Sequence, residues 1–335
     1  MNKADCTSNA AGASATSRAD AEGVWRRRVL VISNPTAGPR RSLRLRRVLA
    51  HLAGLGAAVT VRETTGRGDA EAFAAGADPD DHDVIAIGGG DGTVNEVLNG
   101  LGAGKRPVAL PVAVIPLGTA NVLAVETDLS LHPRAIAQMI MTGATQPISL
   151  GRANGRRFVM MLGIGFDAEV VRRVGPRLKA LAGRSAYVVQ SLLTAFTFPS
   201  RTYRVRIDGR AYTAASVVVA NGRCYGGDFT CAPQASLHQP TLDVCLFRQG
   251  GAGAALTYMA SLATGRLDRL DSVTVVRGTQ IHVEGITGES VQADGDLALT
   301  LPLDIVVEPA TIDLVMGIRA PVDADPAGLG VKRSV

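Results

Sequence analysis

The apolar positions of the chain follow one pattern up to about residue 147 and another after it. Short apolar runs at 28–32, 57–62, 84–87 and 112–115 predict strands. The run Val84-Ile85-Ala86-Ile87 is apolar on both faces, which predicts a buried strand of a parallel sheet. Helices are expected between them. The first has Leu43, Val48, Leu49, Leu52 and Leu55 among its apolar positions and ends at Gly54 or Gly56. A later one carries Val94, Val97, Leu98 and Leu101, an i, i+3, i+4, i+7 stripe. Thr93 and Glu96 have the spacing of a capping box and set its predicted start at Thr93. From Ile148 the segments shorten and alternate, at 157–162, 203–207, 215–220, 242–247, 273–276, 281–283, 297–301 and 303–307. That is the pattern of an antiparallel β domain. Residues 312–316 are apolar again and are expected to pack back on the first domain.

The predicted fold class is an α/β N-terminal domain with a parallel sheet and glycine loops, followed by a C-terminal antiparallel β-sandwich, with the active site in the cleft between. A chain of 335 residues is long enough for two cores. The expected boundaries are a disordered tail 1–25, the α/β domain 26–147 plus about 309–319, the β-sandwich 148–308, and a disordered tail 320–335. Hydrophobic content of 46% and charged content of 19% indicate a globular protein. The net charge of +5 suits an anionic partner and is too small to argue for nucleic acid. One Trp and five Tyr leave few platforms for stacking bases. Cys6, Cys224, Cys231 and Cys245 form no CxxC pair and the five histidines are scattered, so no zinc site is suggested and free thiols are expected. No stretch reaches 18 apolar residues, and the first 23 lack the apolar core of a signal peptide.

The chemistry concentrates at Gly88-Gly89-Gly90-Asp91-Gly92-Thr93, between a strand and a helix. The first N–H groups of a helix lack internal partners and carry about half a positive charge. Glycines let the backbone approach phosphate oxygens closely. Asp91 would repel phosphate unless it faces a Mg²⁺ bridging the phosphates or a hydroxyl about to be phosphorylated. The strand at 112–115 likewise runs into Gly118-Thr119 and a helix, and two such turns converge on one crevice of a parallel sheet. Arg40, Arg41, Arg44, Arg46 and Arg47 form either a solvated basic face or a patch for phosphates or an anionic bilayer. Arg172, Arg173, Arg177, Lys179 and Arg184 precede apolar residues at 187–198. That element would pack on the sheet or lie on a membrane surface.

Gly88 to Thr93 with Asn95 and Glu96 resembles the nucleotide loop of the diacylglycerol kinase and sphingosine kinase family of lipid kinases. NAD kinases and phosphofructokinases share parts of this loop, so it points to ATP more than to a substrate. Other motifs occur in the family's order over roughly residues 26–319. They are Asn34-Pro35-Thr36-Ala37-Gly38, Thr64 ahead of Asp69-Ala70, Pro116-Leu117-Gly118-Thr119-Ala120-Asn121, Gly163 to Ala168, Asn221-Gly222 with Ala232 to Ala235, and Asp294-Gly295-Asp296. The resemblance implies that Asn34, Thr64, Gly89, Gly90, Asp91, Gly92, Thr93, Asn95, Glu96, Gly118, Thr119 and Asn121 bind ATP with Mg²⁺. It implies Asp294 as general base, with Asp91 beside it nearest the chemistry. Ile164 and Phe166 would wall the lipid pocket or lie in the core.

Two departures stand out. Val122 follows Asn121 where many bacterial members have Asp. Asp243 remains of a structural Mg²⁺ site whose other carboxylate is replaced by Gln239. The implied activity is transfer of the γ-phosphate of ATP to a hydroxyl of a membrane lipid, diacylglycerol-like first, with sphingoid, ceramide and phosphatidylglycerol acceptors open. Alternatives are a soluble-substrate kinase of the NAD kinase type and a non-catalytic nucleotide sensor. The expected setting is cytoplasmic, peripherally bound to an anionic membrane surface. No nucleic acid partner is expected, and a homodimer is left open.

Overall fold

The computed structural model of the chain describes residues 26–35, 39–103, 108–173, 201–227 and 229–317. Both expected tails, Thr36 to Gly38, and the basic and apolar positions from Arg177 to Phe198 lie outside the described residues.

Four strands form the parallel layer: β1 (Arg28–Ser33), β2 (Ala58–Glu63), β3 (Val84–Gly89) and β4 (Val112–Pro116), in the order β2-β1-β3-β4. Every residue of β3 and β4 is buried, whereas β2, at the sheet edge, is mostly exposed. The two faces of the layer alternate residue by residue. Val29, Val31, Val84, Ala86, Ala113 and Ile115 pack on α1 (Pro39–Gly54) and on α5 (Pro133–Thr142). Leu30, Ile32, Ile85, Ile87, Val112 and Val114 pack on α2 (Asp69–Ala75) and α3 (Asp91–Gly102). Full burial of each Val, Ile or Leu contributes about 1.5–3 kcal/mol. The stripe Val94, Val97, Leu98 and Leu101 is buried as predicted. Of the apolar positions of α1, Val48 and Leu52 are buried while Leu43 is exposed, as is Leu55 just beyond the helix.

The chain then turns antiparallel. In order come β5 (Thr145–Ala153), β6 (Arg156–Phe158), β7 (Met161–Ile164), β8 (Tyr203–Ile207), β9 (Arg210–Ala214), β10 (Ser216–Ala220), the short β11 (Cys224–Tyr225) and β12 (Phe229–Thr230), β13 (Leu242–Phe247), β14 (Val273–Gly278), β15 (Gln280–Glu284), β16 (Ser290–Ala293), β17 (Asp296–Thr300) and β18 (Leu303–Val315). Three hairpins turn on two residues with positive φ: Asn154-Gly155, Asp208-Gly209 and Asp294-Gly295. Asn-Gly and Asp-Gly are the pairs that adopt this turn at least cost.

One ten-stranded sheet runs β2-β1-β3-β4-β18-β15-β8-β9, with β5 paired on β18 and β6 on β5. The segments expected at 303–307 and 312–316 are therefore one continuous strand. β18 pairs with β5 along most of its length, across an irregularity between Glu308 and Ile312, and joins β4 at Leu314. A second sheet, β14-β13-β10-β7-β16-β17, packs on the antiparallel part of the first. Their shared core includes Tyr203, Val205, Ile281, Val283, Leu303 and Ile305 from one layer and Ile164, Val217, Val219, Leu242, Val244 and Val291 from the other. Ile164 thus belongs to the sandwich core. A helix that the sequence pattern did not predict, α6 (Ala252–Ala263), interrupts this β region.

Candidate active site

The carboxyl ends of β3 and β4 meet the sandwich at a cavity of about 800 Å³. Its polar end is built from two glycine turns. β3 passes through Gly90 straight into α3, which begins at Asp91, two residues before the predicted start. Gly90 takes the N-cap position with no side-chain hydrogen bond, so the Thr93–Glu96 capping box does not form. The first intrahelical bond of the helix runs from Val94 N–H to Gly90 O, 3.1 Å. The amides of Gly92 and Thr93 precede it, and both residues line the cavity. The turn after β4 presses against this one. A Cβ on Gly90 would lie 2.9 Å from Gly118 Cα, and a Cβ on Gly118 would overlap Gly90 Cα. Only two glycines allow the turns so close, and the result is a narrow cradle of backbone. Asp91 fastens it: its Oδ1 accepts the Val122 N–H at 2.6 Å, which ties the third-strand loop to the start of α4 (Val122–Glu126). The Val122 side chain is buried, so what this position offers the site is its amide.

Of the expected nucleotide-contacting residues, Asn34, Thr64, Gly89, Gly90, Asp91, Gly92, Thr93, Glu96, Gly118 and Thr119 line this cavity. Asn95 and Asn121 turn elsewhere. Asn121, at φ 48°, closes its own turn: Oδ1 accepts Gly118 N–H at 2.7 Å and Nδ2 donates to Gly118 O at 3.0 Å. Asn95 Nδ2 donates to Arg157 O at 3.0 Å and to Asp294 Oδ2 at 2.8 Å. Both amides support the backbone that forms the site. Arg41 enters the cavity from α1 and donates to Thr119 Oγ1 at 3.2 Å, while Arg44 donates to Pro116 O at 2.8 Å. These members of the basic run therefore serve the fourth-strand turn, whereas Arg46 and Arg47 are exposed.

Asp294, expected as general base, also lines the cavity but is fully engaged. Oδ1 accepts Met160 N–H at 2.8 Å and Met161 N–H at 3.1 Å. Oδ2 accepts Val159 N–H and the Asn95 amide, each at 2.8 Å. A carboxylate has about four lone-pair positions, and here each has a donor. In this arrangement Asp294 clasps α3 to the strand entry at 159–161. Burial pushes its carboxyl up, against the pull of those donors. Asp296, which stands where the family has Glu, lies at the α3 end of the cavity: a Cβ on Gly92 would come within 3.0 Å of its Oδ2.

The cavity's other end is apolar. Val170, Tyr225, Met259 and Leu262 line it and also line an adjoining cavity of about 130 Å³, whose further walls include Phe166, Phe247 and Leu267. Asp167 sits at the joint of the two. The sequence pattern gave no reason to single it out beyond its place in a motif. Its Oδ1 accepts the Tyr225 hydroxyl and its Oδ2 the Gln292 amide at 2.6 Å. Burial pushes its carboxyl up to about 6, against the hydrogen bond from Gln292.

The expected metal site at Asp243 is filled differently. Asp243 is 2% exposed and faces Arg277 across the β13–β14 pair. The guanidinium reaches its two oxygens at 2.7 and 3.2 Å and also donates to Gln234 O at 2.7 Å. Gln239 is exposed. A fixed cation of the chain's own occupies the place of a metal ion, and the residues do not fit one. Cys224, Cys231 and Cys245 are free thiols; Cys6 is outside the described residues.

Residues 28–153 match the family model of the diacylglycerol kinase catalytic domain, and 160–316 match that of the YegS C-terminal NAD kinase beta sandwich-like domain. A diacylglycerol kinase of Mycobacterium tuberculosis is 31% identical over 242 residues, 70% of this chain and 76% of the relative. A Pseudomonas aeruginosa protein, described as a probable lipid kinase and YegS-like, is 31% identical over 288 residues, 81% and 89% of the two chains. A crystal structure of a diacylglycerol kinase from Bacillus anthracis shares the fold, with a TM-score of 0.70 at 22% identity over 87% of this chain and 97% of that one. The chain belongs to the diacylglycerol kinase catalytic-domain family and is a lipid kinase.

Proposed function

We propose that this kinase transfers the γ-phosphoryl group of ATP to a hydroxyl of a membrane lipid, with a diacylglycerol-like alcohol as the first acceptor to test. The observation that carries the reading is one cavity with a backbone cradle at one end and apolar walls at the other. At the cradle, the Gly90–Gly118 approach and the amides of Gly92 and Thr93 suit phosphate oxygens, and the amino end of α3 adds about half a positive charge. Arg41 and Thr119, which also line the cavity, supply further donors. Magnesium enters as part of the Mg·ATP substrate. At the far end Val170, Met259 and Leu262 offer a surface for an acyl chain. Catalysis of this kind rests mainly on positioning and electrostatic stabilisation of the transferring group. Among the described residues no helix is long and apolar enough to cross a membrane, so the proposed enzyme lifts its acceptor from a bilayer surface.

The test is incubation with radiolabelled ATP and vesicles of a total lipid extract, followed by separation of the lipids. Label in an organic-soluble phosphate monoester is expected. ATP consumption that ignores vesicles, with all label in water-soluble products, would favour a soluble acceptor instead.

A further inference from the structure

Five carboxylates line the cavity, Asp91, Glu96, Asp167, Asp294 and Asp296, against two cations among the described residues, Arg41 and Arg67. The γ-phosphoryl group of ATP brings further negative charge, so each guanidinium near the glycine cradle carries weight. Arg41 is committed to the turn after β4 through Thr119. Arg67 has no such commitment.

Arg67 sits at the tip of the loop between β2 and α2. The base of that loop is fixed. Thr64 N–H donates to Ser33 O at 2.8 Å. Asp69 accepts the N–H and the hydroxyl of Thr65, each at 2.7 Å, and Gly66 N–H at 2.9 Å. The tip is open. Gly66 and Gly68 flank the arginine, and a Cβ at either glycine would meet nothing within 4 Å. The Arg67 side chain is 72% exposed, and its ion pair among the described residues is a loose one, Nη2 to Asp296 Oδ2 at 3.5 Å.

That pair shows how far the guanidinium reaches. Asp296 Oδ2 lies 3.0 Å from the Cβ that Gly92 would carry, at the first turn of α3. Laid end to end, the two lengths put the guanidinium within about 6.5 Å of the amino end of α3. Two hydrogen bonds of about 2.9 Å with a phosphoryl group between them fill a gap of this size. Asp296 stands in that gap with a carboxylate, which marks it as a place for an oxyanion, and its 44% exposure leaves room for it to turn aside.

Resting on the transfer from ATP proposed above, we propose that Arg67 is a further catalytic residue: its guanidinium leaves Asp296 and binds the γ-phosphoryl group as that group transfers. The acceptor oxygen bonds to the γ-phosphorus, the bond to the bridging oxygen breaks, and ADP leaves with that electron pair. The acceptor's proton passes to the base, for which the sequence resemblance gives Asp294. In this transition state charge spreads over three equatorial oxygens, and a planar guanidinium meets two of them with parallel donors. Such a contact is stronger in the transition state than in bound ATP, so it raises turnover more than affinity.

The experiment compares wild type, Arg67→Ala and Arg67→Lys as full chains, with Mg·ATP and phosphatidylglycerol vesicles carrying dioleoylglycerol. Arg67→Ala should lose about 100-fold or more in kcat, while its Kd for ADP stays within about threefold of wild type. Aluminium fluoride, which forms a phosphoryl mimic beside ADP, should tighten ADP binding to wild type and not to Arg67→Ala. A residue that only tethers its loop to Asp296 would leave that gain intact. Arg67→Lys keeps the charge without the fork and should stay at least about tenfold below wild type in kcat. A kcat of Arg67→Ala within about tenfold of wild type overturns the proposal, as does a gain from fluoride that the two proteins share or both lack. If Arg67→Ala fails to fold, Arg67→Lys, read in the same two ways, decides. Wild type that labels no lipid, on these vesicles and on a total extract, removes the transfer reading and this proposal with it; wild type that labels lipid beside an equally active Arg67→Ala removes this proposal alone.

Discussion

Replacing Asp294 by Asn separates its two candidate roles. Asn-Gly makes the same two-residue hairpin turn as Asp-Gly, so the backbone at φ 49° and 85° is preserved. What changes is one oxygen, which becomes an NH₂ donor. If it replaces Oδ1, the N–H groups of Met160 and Met161 lose their acceptor; if Oδ2, those of Val159 and Asn95 do. Either orientation strands two buried donors at about 1–3 kcal/mol apiece. Removing a buried charge offsets part of this, which leaves a net loss of ~2–4 kcal/mol. Urea unfolding followed by circular dichroism would measure it, and the melting temperature should fall by about 5 °C or more. Asp296→Asn is the control: its side chain is 44% exposed, and a surface change of this kind alters stability by less than ~0.5 kcal/mol. A variant Asp294→Asn as stable as wild type, yet inactive, would refute the clasp and leave Asp294 the role of base alone.

Three further outcomes follow from the geometry. Arg277→Met leaves the buried Asp243 without its partner; breaking such a pair costs ~3–5 kcal/mol, and the 43% exposure of Arg277 brings this to about 2–3. For the same reason a chelator should leave the melting temperature of the nucleotide-free protein unchanged, and a fall of several degrees would point to a metal at Asp243. Gly118→Ala forces the two glycine turns apart, at ~1–3 kcal/mol, and should weaken binding of a fluorescent ATP analogue by about 10- to 100-fold; unchanged affinity would exclude the cradle. Asp167, ordinarily at 3.8, is held at about 6. A carboxyl raised on folding contributes stability that is present below its unfolded value and is lost as pH rises through its folded one. Relative to wild type, Asp167→Asn should therefore gain about 2 kcal/mol between pH 4 and pH 7 in paired urea unfolding curves, whereas a difference constant with pH would contradict the burial of this charge.

Much of this arrangement is legible in the sequence because it is local. The fully apolar strand at Val84 to Ile87, the glycine run after it and the stripe from Val94 to Leu101 each read from neighbours in the chain, and each formed. The start of α3 was misread because Thr93 and Glu96 satisfy a spacing rule while Gly90 already ends the strand. Helix α6 was missed because its residues are apolar on every side and give no periodicity. The roles of Asn95, Asp243 and Asp294 depend on partners distant in sequence. Arg277 meets Asp243 only through the register of β13 on β14, and Asn95 meets Asp294 from 199 residues away. Asp167 was hidden for a related reason. What distinguishes it is where two cavities join, and that joint draws on β7, β11, β16 and α6 together.

The central claim is that one cavity takes ATP at its glycine end and a lipid tail at its apolar end. A crystal structure with a non-hydrolysable ATP analogue and a short-chain diacylglycerol tests it most directly. The terminal phosphates should lie on the amides of Gly92 and Thr93 beside Thr119, with the acyl chain along Val170, Met259 and Leu262. A nucleotide bound elsewhere, or a lipid whose hydroxyl points away from those phosphates, would contradict it.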